Sequence, residues 1–191
     1  YQNRFLDSEV PACEPEKARF HVIPVPYEAT VSYAGGTANG PEAILDASDQ
    51  LELYDGISFP GEGGIFTHEP VDCSGEPEEV MDNVRRAVLA ALDCKAIPVV
   101  LGGEHSLTYG VMAALKERFG TFGVVQFDAH ADLRDSYEGS KWSHASVMRR
   151  AVKDLGLPLV QLGNRIFCKE ELEARKEHGV VSWDAPYLCR S

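Results

Sequence analysis

Four residues in two short segments have the types and spacing of metal ligands. Asp128, His130 and Asp132 alternate with alanines in the later segment, and His105 lies in the earlier segment Gly-Gly-Glu-His-Ser. In an extended chain alternate side chains point to the same side, so the ligands of the later segment can converge. Carboxylates together with imidazoles suit manganese, whereas a structural zinc site favours thiolates. The predicted metal ligands are therefore His105, Asp128, His130 and Asp132.

A pair of ions at this site would make hydrolytic chemistry available. Metal ions lower the pKa of bound water, so a bridging hydroxide would form near neutral pH. Such a nucleophile can attack a planar, unreactive carbon such as that of a guanidinium group. Glu104, which precedes His105, is predicted to be a structural or supporting carboxylate and not a ligand. A short Asp-x-His-x-Asp segment also occurs in solvated loops, but its position after an apolar strand favours the metal site.

The elements that position these segments alternate along the chain. Both segments follow apolar runs, at 97–101 and 122–127, that predict buried strands. Parallel sheets bind ligands beyond the carboxyl ends of their strands, which is where both segments lie. Apolar residues at helical or strand spacing predict the other elements. The further strands are predicted at 20–25, 159–162 and 180–183, and the helices at 41 to about 54, 77–93, 107–119, 144–155 and 169–178. This order predicts an α/β domain whose parallel strands are buried on both faces.

The remaining organisation is simple. The 191 residues suit a single domain spanning 1–191, in which the polar residues 1–17 form an arm or loop. Residues 55–76 hold many glycines and prolines and are predicted to be a surface loop with one short strand. Arg149 and Arg150 are predicted to face solvent or a neighbouring subunit.

The charge and cysteine content exclude several classes of partner. The chain has 18 basic and 30 acidic residues, a net charge of −12, which argues against a nucleic-acid partner and gives anionic lipid no attraction. No apolar run approaches the length of a membrane span. The five cysteines have neither metal-knuckle nor redox spacing, which predicts reduced thiols and a cytoplasmic location.

The two metal segments resemble the first two metal motifs of the ureohydrolase family, which includes arginase, agmatinase and formimidoylglutamase. Weaker similarities occur at 40–44, 143–146 and 162–165, so the resemblance spans residues 20–185. It implies an arginase-like, three-layer αβα sandwich around a mostly parallel sheet. It also implies two Mn²⁺ ions per active site in the complete protein, a small cationic guanidino substrate, and a homo-oligomer that is a trimer or hexamer.

The same resemblance assigns roles to the site residues. His105 and Asp132 would bind one manganese ion, His130 would bind the other, and Asp128 would bridge both. His144 would be the catalytic acid or base near the leaving amine.

Within the family, the segments 132–134 and 137–139 look most like those of agmatinases. Arginases carry asparagine where Arg134 stands. Asn39 and Asn164 depart from the arginine and the aliphatic residue that are usual at their positions, and the sequence gives no role for either.

The implied activity is hydrolysis of agmatine to putrescine and urea by a metal-bridging hydroxide, a step of polyamine biosynthesis. The alternatives are guanidinobutyrase, arginase or formimidoylglutamase activity, or a catalytically inactive homologue that acts as a binding subunit. The family's third metal motif, Asp-x-Asp, and a downstream glutamate do not occur before Ser191. The sequence therefore predicts an N-terminal portion of a longer protein, incomplete at the C-terminus and inactive alone.

Overall fold

The computed structural model describes residues 4–189 of the chain. The chain divides into two compact units, Tyr1–Val111 and Met112–Ser191. Each unit contains a sheet of parallel strands flanked in sequence by helices, which confirms the predicted α/β class. Among the helices of residues 4–189, none combines the length and the apolar composition that a membrane crossing requires.

The first unit is organised around a parallel sheet in the order β2-β1-β3. Its elements are β1 (Phe20–Val25), α1 (Gly40–Ser48), β2 (Ile65–Thr67), α2 (Pro77–Asp93) and β3 (Ile97–Gly102). Helix α3 (Thr108–Phe119) begins at the end of this unit. β1 is the central strand, and its residues from His21 to Val25 are buried, as predicted.

Helix α2 has the predicted bounds because several local signals agree. Pro77 occupies the first turn, and Glu76 and Glu79 form a reciprocal capping box. Val80, Val84 and Val88 are fully buried at helical spacing.

Helix α1 ends at Ser48, so the prediction that it continues to about Tyr54 is wrong. The Ser48 hydroxyl donates to the carbonyl of Leu45 at 2.6 Å and accepts from the backbone nitrogen of Leu6 at 2.8 Å. A serine that bonds to the backbone in this way competes with continued helix. Leu45 is buried, whereas Leu51, which lies inside the predicted helix but beyond the observed one, is 53% exposed.

The N-terminal segment packs against the first unit. Residues 1–3 of the predicted arm lie outside the described residues. Leu6 and Val10 are buried, and the segment ends in a 3-10 turn at Pro15–Lys17. From residue 4 onwards the arm therefore forms part of this unit, with Leu6 and Val10 in its core although most of the arm is polar.

The second unit contains a parallel sheet in the order β4-β5-β6. Its elements are β4 (Val124–Phe127), α4 (Val147–Lys153), β5 (Leu159–Leu162), α5 (Lys169–His178), β6 (Val181–Trp183) and α6 (Ala185–Leu188). The helix predicted from residue 144 begins instead as a 3-10 turn at His144–Ser146. The short helix α6 was not predicted.

The prediction that the strands are buried on both faces holds for β1 and is wrong for β3 and β4. Ile97 and Val99 of β3 are 48% and 39% exposed, and Val125 and Phe127 of β4 are 56% and 79% exposed. Both strands lie at an edge of their own sheet. Successive side chains of a strand alternate between faces, so each of these strands exposes every second residue.

A pair of histidines links β1 to the segment after β2. The ring Nε2 of His21 lies 2.9 Å from the carbonyl oxygen of Pro15, which can only accept, so His21 donates from Nε2. His21 Nδ1 then accepts from His68 Nε2, also at 2.9 Å. Burial, with a smaller effect from His21, lowers the pKa of His68 from 6.5 to about 4.

The lowered pKa of His68 predicts that the free energy of unfolding falls in mild acid. Because the pKa of His68 is lower in the folded state, the unfolded chain takes up the proton first. The contribution of His68 is constant above pH 6.5, falls as the pH drops towards about 4, and is constant again below that. Urea unfolding at several pH values should show this slope in the wild type and a smaller slope in His68→Gln. Equal slopes would contradict the assignment.

Candidate metal centre

His105 lies directly beyond the end of β3 in the first unit. It opens the 3-10 turn His105–Leu107, which leads into α3, and its side chain is half-buried. The predicted position at the carboxyl end of a strand is therefore correct for this residue.

Glu104 fixes the backbone that carries His105. This carboxylate is 4% exposed and accepts from the backbone nitrogens of Ala29 and Thr30 at 2.8 and 2.6 Å. It also accepts from the hydroxyls of Thr30, at 2.8 Å, and Ser106, at 2.5 Å. Both of its oxygens are thus used within the first unit, which agrees with a structural carboxylate and not a ligand.

Gly103 allows the same turn to approach the neighbouring chain. A Cβ at this position would overlap the carbonyl oxygen of Tyr27 and lie 2.9 Å from its backbone nitrogen. Because backbone cannot swing away as a side chain can, Gly103→Ala should destabilise the fold by about 1–3 kcal/mol. Denaturant unfolding would measure this loss. Gly123→Ala is the matched control, since nothing lies within 4 Å of its added Cβ; a similar loss in both variants would contradict the steric cause.

The predicted ligands of the second unit follow β4 directly. The Asp128 Oδ1 accepts from the backbone nitrogen of His130 at 2.8 Å and lies 3.5 Å from His130 Nδ1. Asp132 is 6% exposed and has a left-handed backbone, with φ of 52°. Its carbonyl accepts from the backbone nitrogens of Met148 and Arg149 in the first turn of α4. Asp128, His130 and Asp132 are therefore held in one well-anchored segment.

Gln126, which the sequence analysis missed, contacts both aspartates. This residue of β4 is 5% exposed, and its Nε2 donates to Asp128 Oδ2 and to Asp132 Oδ2, each at 3.3 Å. The available signal was a polar residue inside an apolar strand, Val-Val-Gln-Phe. One amide group thus links the two carboxylates of the candidate site.

The donor set fits a divalent ion of the manganese type. Two carboxylates and an imidazole lie within five consecutive residues, and one of the carboxylates is almost fully buried. Burial of a carboxylate is costly unless it is paired or binds a metal. Gln126 donates to both carboxylates, and a bound divalent cation would compensate their negative charge.

His144 lies beside the segment that follows Asp132. The hydroxyl of Ser143 caps the turn by accepting from the Ala145 nitrogen at 3.3 Å, and the Ala145 carbonyl accepts from the nitrogen of Arg134. The half-buried His144 ring packs edge-on against Tyr137, with centroids 6.0 Å apart. The Arg134 guanidinium lies 5.0 Å from the centroid of the same tyrosine ring.

An ionic cluster joins the loop after the predicted metal ligands to α4. Asp135 lies 2.7 Å from both Arg150 Nη2 and Lys153 Nζ, and hydrogen bonds from Lys153 and Arg150 lower its pKa to about 2. Arg150 is 6% exposed and also pairs with Asp154. The prediction that Arg150 faces solvent or a neighbouring subunit is wrong, because these carboxylates compensate its burial.

Comparison with known proteins gives consistent matches. The family model described as "Arginase family" matches residues 18–190. The N(1)-aminopropylagmatine ureohydrolase of Synechocystis sp. is 41% identical, over 94% of this chain and 61% of the relative. The agmatinase of Pyrococcus horikoshii is 31% identical, over 94% of this chain and 63% of the relative.

A solved structure, the agmatine ureohydrolase of Thermoplasma volcanium, superimposes with a TM-score of 0.82 at 31% identity, covering 94% of this chain and 61% of that one. This match confirms the predicted arginase-like fold. The chain spans about three-fifths of the length of the relatives that it matches.

Proposed function

Because the chain belongs to the arginase family, we propose that the protein is a metal-dependent ureohydrolase that releases urea from an agmatine-type guanidino compound. The observation that supports this function best is the anchored segment with Asp128, His130 and Asp132, in which Gln126 contacts both carboxylates.

The proposed metal is a pair of Mn²⁺ ions. By the resemblance to ureohydrolases, His105 and Asp132 would hold one ion, His130 would hold the other, and Asp128 would serve both. When bound, the ions supply a nucleophile by lowering the pKa of water, and they polarise the substrate. The left-handed backbone of Asp132 and the hydrogen bond from the His130 nitrogen to Asp128 fix the directions of the two carboxylates.

The proposed acid or base is His144. Its ring is half-buried, held at a capped turn and packed against Tyr137, so its orientation is restricted. A histidine so held can transfer a proton to the leaving amine when the guanidino group breaks down.

The proposed substrate is a guanidino amine and not arginine. Among the compared relatives, the protein named for N(1)-aminopropylagmatine has the higher identity, which favours that substrate, with agmatine as the second candidate. The chain also lacks the asparagine that the resemblance assigns to arginases, since Arg134 stands there. The net charge of −12 suits a cationic substrate.

A urea-release assay with added Mn²⁺ tests the substrate directly. The panel is N(1)-aminopropylagmatine, agmatine, guanidinobutyrate and arginine, compared by kcat/KM in the intact protein. We expect the two agmatine-type amines to be turned over best. A preference for arginine would move the assignment to arginase, and no urea from any substrate, with no manganese bound, would favour the inactive binding subunit.

The protein is further proposed to be a cytoplasmic homo-oligomer, a trimer or hexamer, without nucleic-acid or membrane partners. The support for this location is the cysteine spacing, which matches neither a metal knuckle nor a redox motif. Light scattering on the purified protein would measure the subunit number, and a monomer would contradict the proposal.

A further inference from the structure

A series of buried polar side chains is hydrogen-bonded to the aspartates of the second unit. Gln126 and Gln161 are direct neighbours in the register of β4 and β5, and both are buried. Gln161 Nε2 donates to Gln126 Oε1 at 2.6 Å and to the carbonyl of Ala131 at 2.7 Å. Arg175 of α5, 6% exposed, donates from Nε to Gln161 Oε1 at 3.0 Å.

Arg175 determines which group donates and which accepts along this series of polar side chains. A guanidinium has donors only, so the oxygen of the Gln161 amide must face it. The nitrogen of Gln161 then faces Gln126, which must present its own oxygen. The nitrogen of Gln126 is left to donate towards the carboxylates of residues 128 and 132. A flip of the Gln126 amide would lose its bond from Gln161 and both bonds to these carboxylates.

Asn164 extends the same arrangement to the backbone. It is fully buried, its Oδ1 accepts from Arg175 Nη2 at 2.7 Å, and its Nδ2 donates to the carbonyls of Asp128 and His130 at 2.8 and 2.6 Å. The carbonyl of Ala129 accepts from the backbone nitrogens at 165 and 166. Together with the bonds to residues 131 and 132, every carbonyl from 128 to 132 has a donor.

From these contacts we propose that Gln126 and Arg175 are positioning residues for the metal centre. Gln126 acts on the two carboxylates, and Arg175 acts through Gln161 and Asn164 on both Gln126 and the backbone. The inference rests on the proposed function, since it assumes that the segment 128–132 binds metal. Hydrogen-bond partners of metal ligands typically contribute about 10–100-fold to metal affinity.

The test is manganese titration of the EDTA-treated intact protein by calorimetry, with unfolding of the metal-free protein measured in parallel. Gln126→Met keeps the length of the side chain but removes the donor. Its matched control, Gln50→Met, makes the same change at an exposed position. We expect manganese affinity about 10–100-fold below wild type in Gln126→Met, and wild-type affinity in the control.

A second variant keeps the test decisive where Gln126→Met fails to fold. Arg175→Lys retains the charge that faces Asp184 but loses the fork that reaches both amides. It should lower manganese affinity about 10-fold or more, and Arg86→Lys on the exposed side of α2 should not.

The outcomes separate the inference from the proposed function. Unchanged affinity in Gln126→Met and Arg175→Lys, or a loss of metal-free stability alone, overturns the inference while the metal site stands. Equal losses in variants and controls overturn it as well. A wild-type protein that binds no manganese overturns the proposed function, and the inference with it.

Discussion

Asp128→Asn is expected to lower manganese affinity by more than about 100-fold, a larger loss than any other single ligand change in this chain. Loss of a residue that only hydrogen-bonds to a ligand typically lowers metal affinity by roughly 10–100-fold. Asp128 is proposed to be a ligand itself, and of both ions. Asparagine keeps the shape and one oxygen but removes a negative charge from each ion. The hydrogen bond from the His130 nitrogen can persist, because an amide oxygen also accepts.

The measurement is manganese content and affinity in the intact protein, with His105→Ala as the comparison. His105 serves one ion in the proposed arrangement, so its removal should cost less metal. Asp46→Asn, on the exposed side of α1, controls for the loss of a carboxylate as such. Equal metal content in Asp128→Asn and His105→Ala would contradict the bridging role.

His144→Ala is expected to keep its manganese and to lose turnover by about 10²–10⁴-fold, the usual contribution of a general acid or base. The metal should stay because His144 lies on a separate turn, capped by Ser143, and the proposed ligands lie elsewhere. The substitution also removes the ring contact with Tyr137. Some loss of order in that loop is therefore expected, and it would affect KM more than metal binding.

Steady-state kinetics of urea release, together with metal analysis, test this role. His178→Ala in the last turn of α5 is the matched control and should retain wild-type turnover. If His144→Ala loses manganese instead, His144 is a ligand. If it keeps full turnover, another group transfers the proton.

The elements whose local signals agree were predictable from sequence. α2 and α5 have the predicted bounds, because one begins at a proline with a capping box and the other ends at Gly179 in a left-handed C-cap. The strand ends that carry His105 and Asp128 were also predicted, since apolar runs ended by polar segments mark them. α1 was predicted too long because the Ser48 hydroxyl bonds both to its own helix and to Leu6, which is distant in sequence.

The hydrogen bonds that hold the candidate site were not predictable, because they join residues that are far apart in the chain. Gln161 meets Gln126 across 35 positions, and Asn164 meets Asp128 across 36. In the sequence, Asn164 was only an unexplained replacement of the aliphatic residue that is usual in the family. Arg175 looked like one more charge on a polar helix. Arg150 was misjudged for the same reason, since its partner Asp135 lies 15 positions away. Single-sequence patterns report periodicity and caps, but they do not report which buried donors and acceptors will pair.

The left-handed backbone at Asp132 narrows what this position can tolerate. Glycine adopts that conformation at no steric cost but has no side-chain oxygen to bind a metal. Asparagine also adopts it but lacks the negative charge of the carboxylate. Glutamate has the charge and can adopt this backbone, as Glu138 does with φ of 49°, but its carboxylate lies one methylene farther from the backbone. β-branched residues are strained there. Every alternative therefore gives up the backbone conformation, the negative charge or the position of that charge. A library randomised at this codon should return aspartate almost alone when selected for metal-dependent activity, while selection for folding alone should also admit asparagine and glycine.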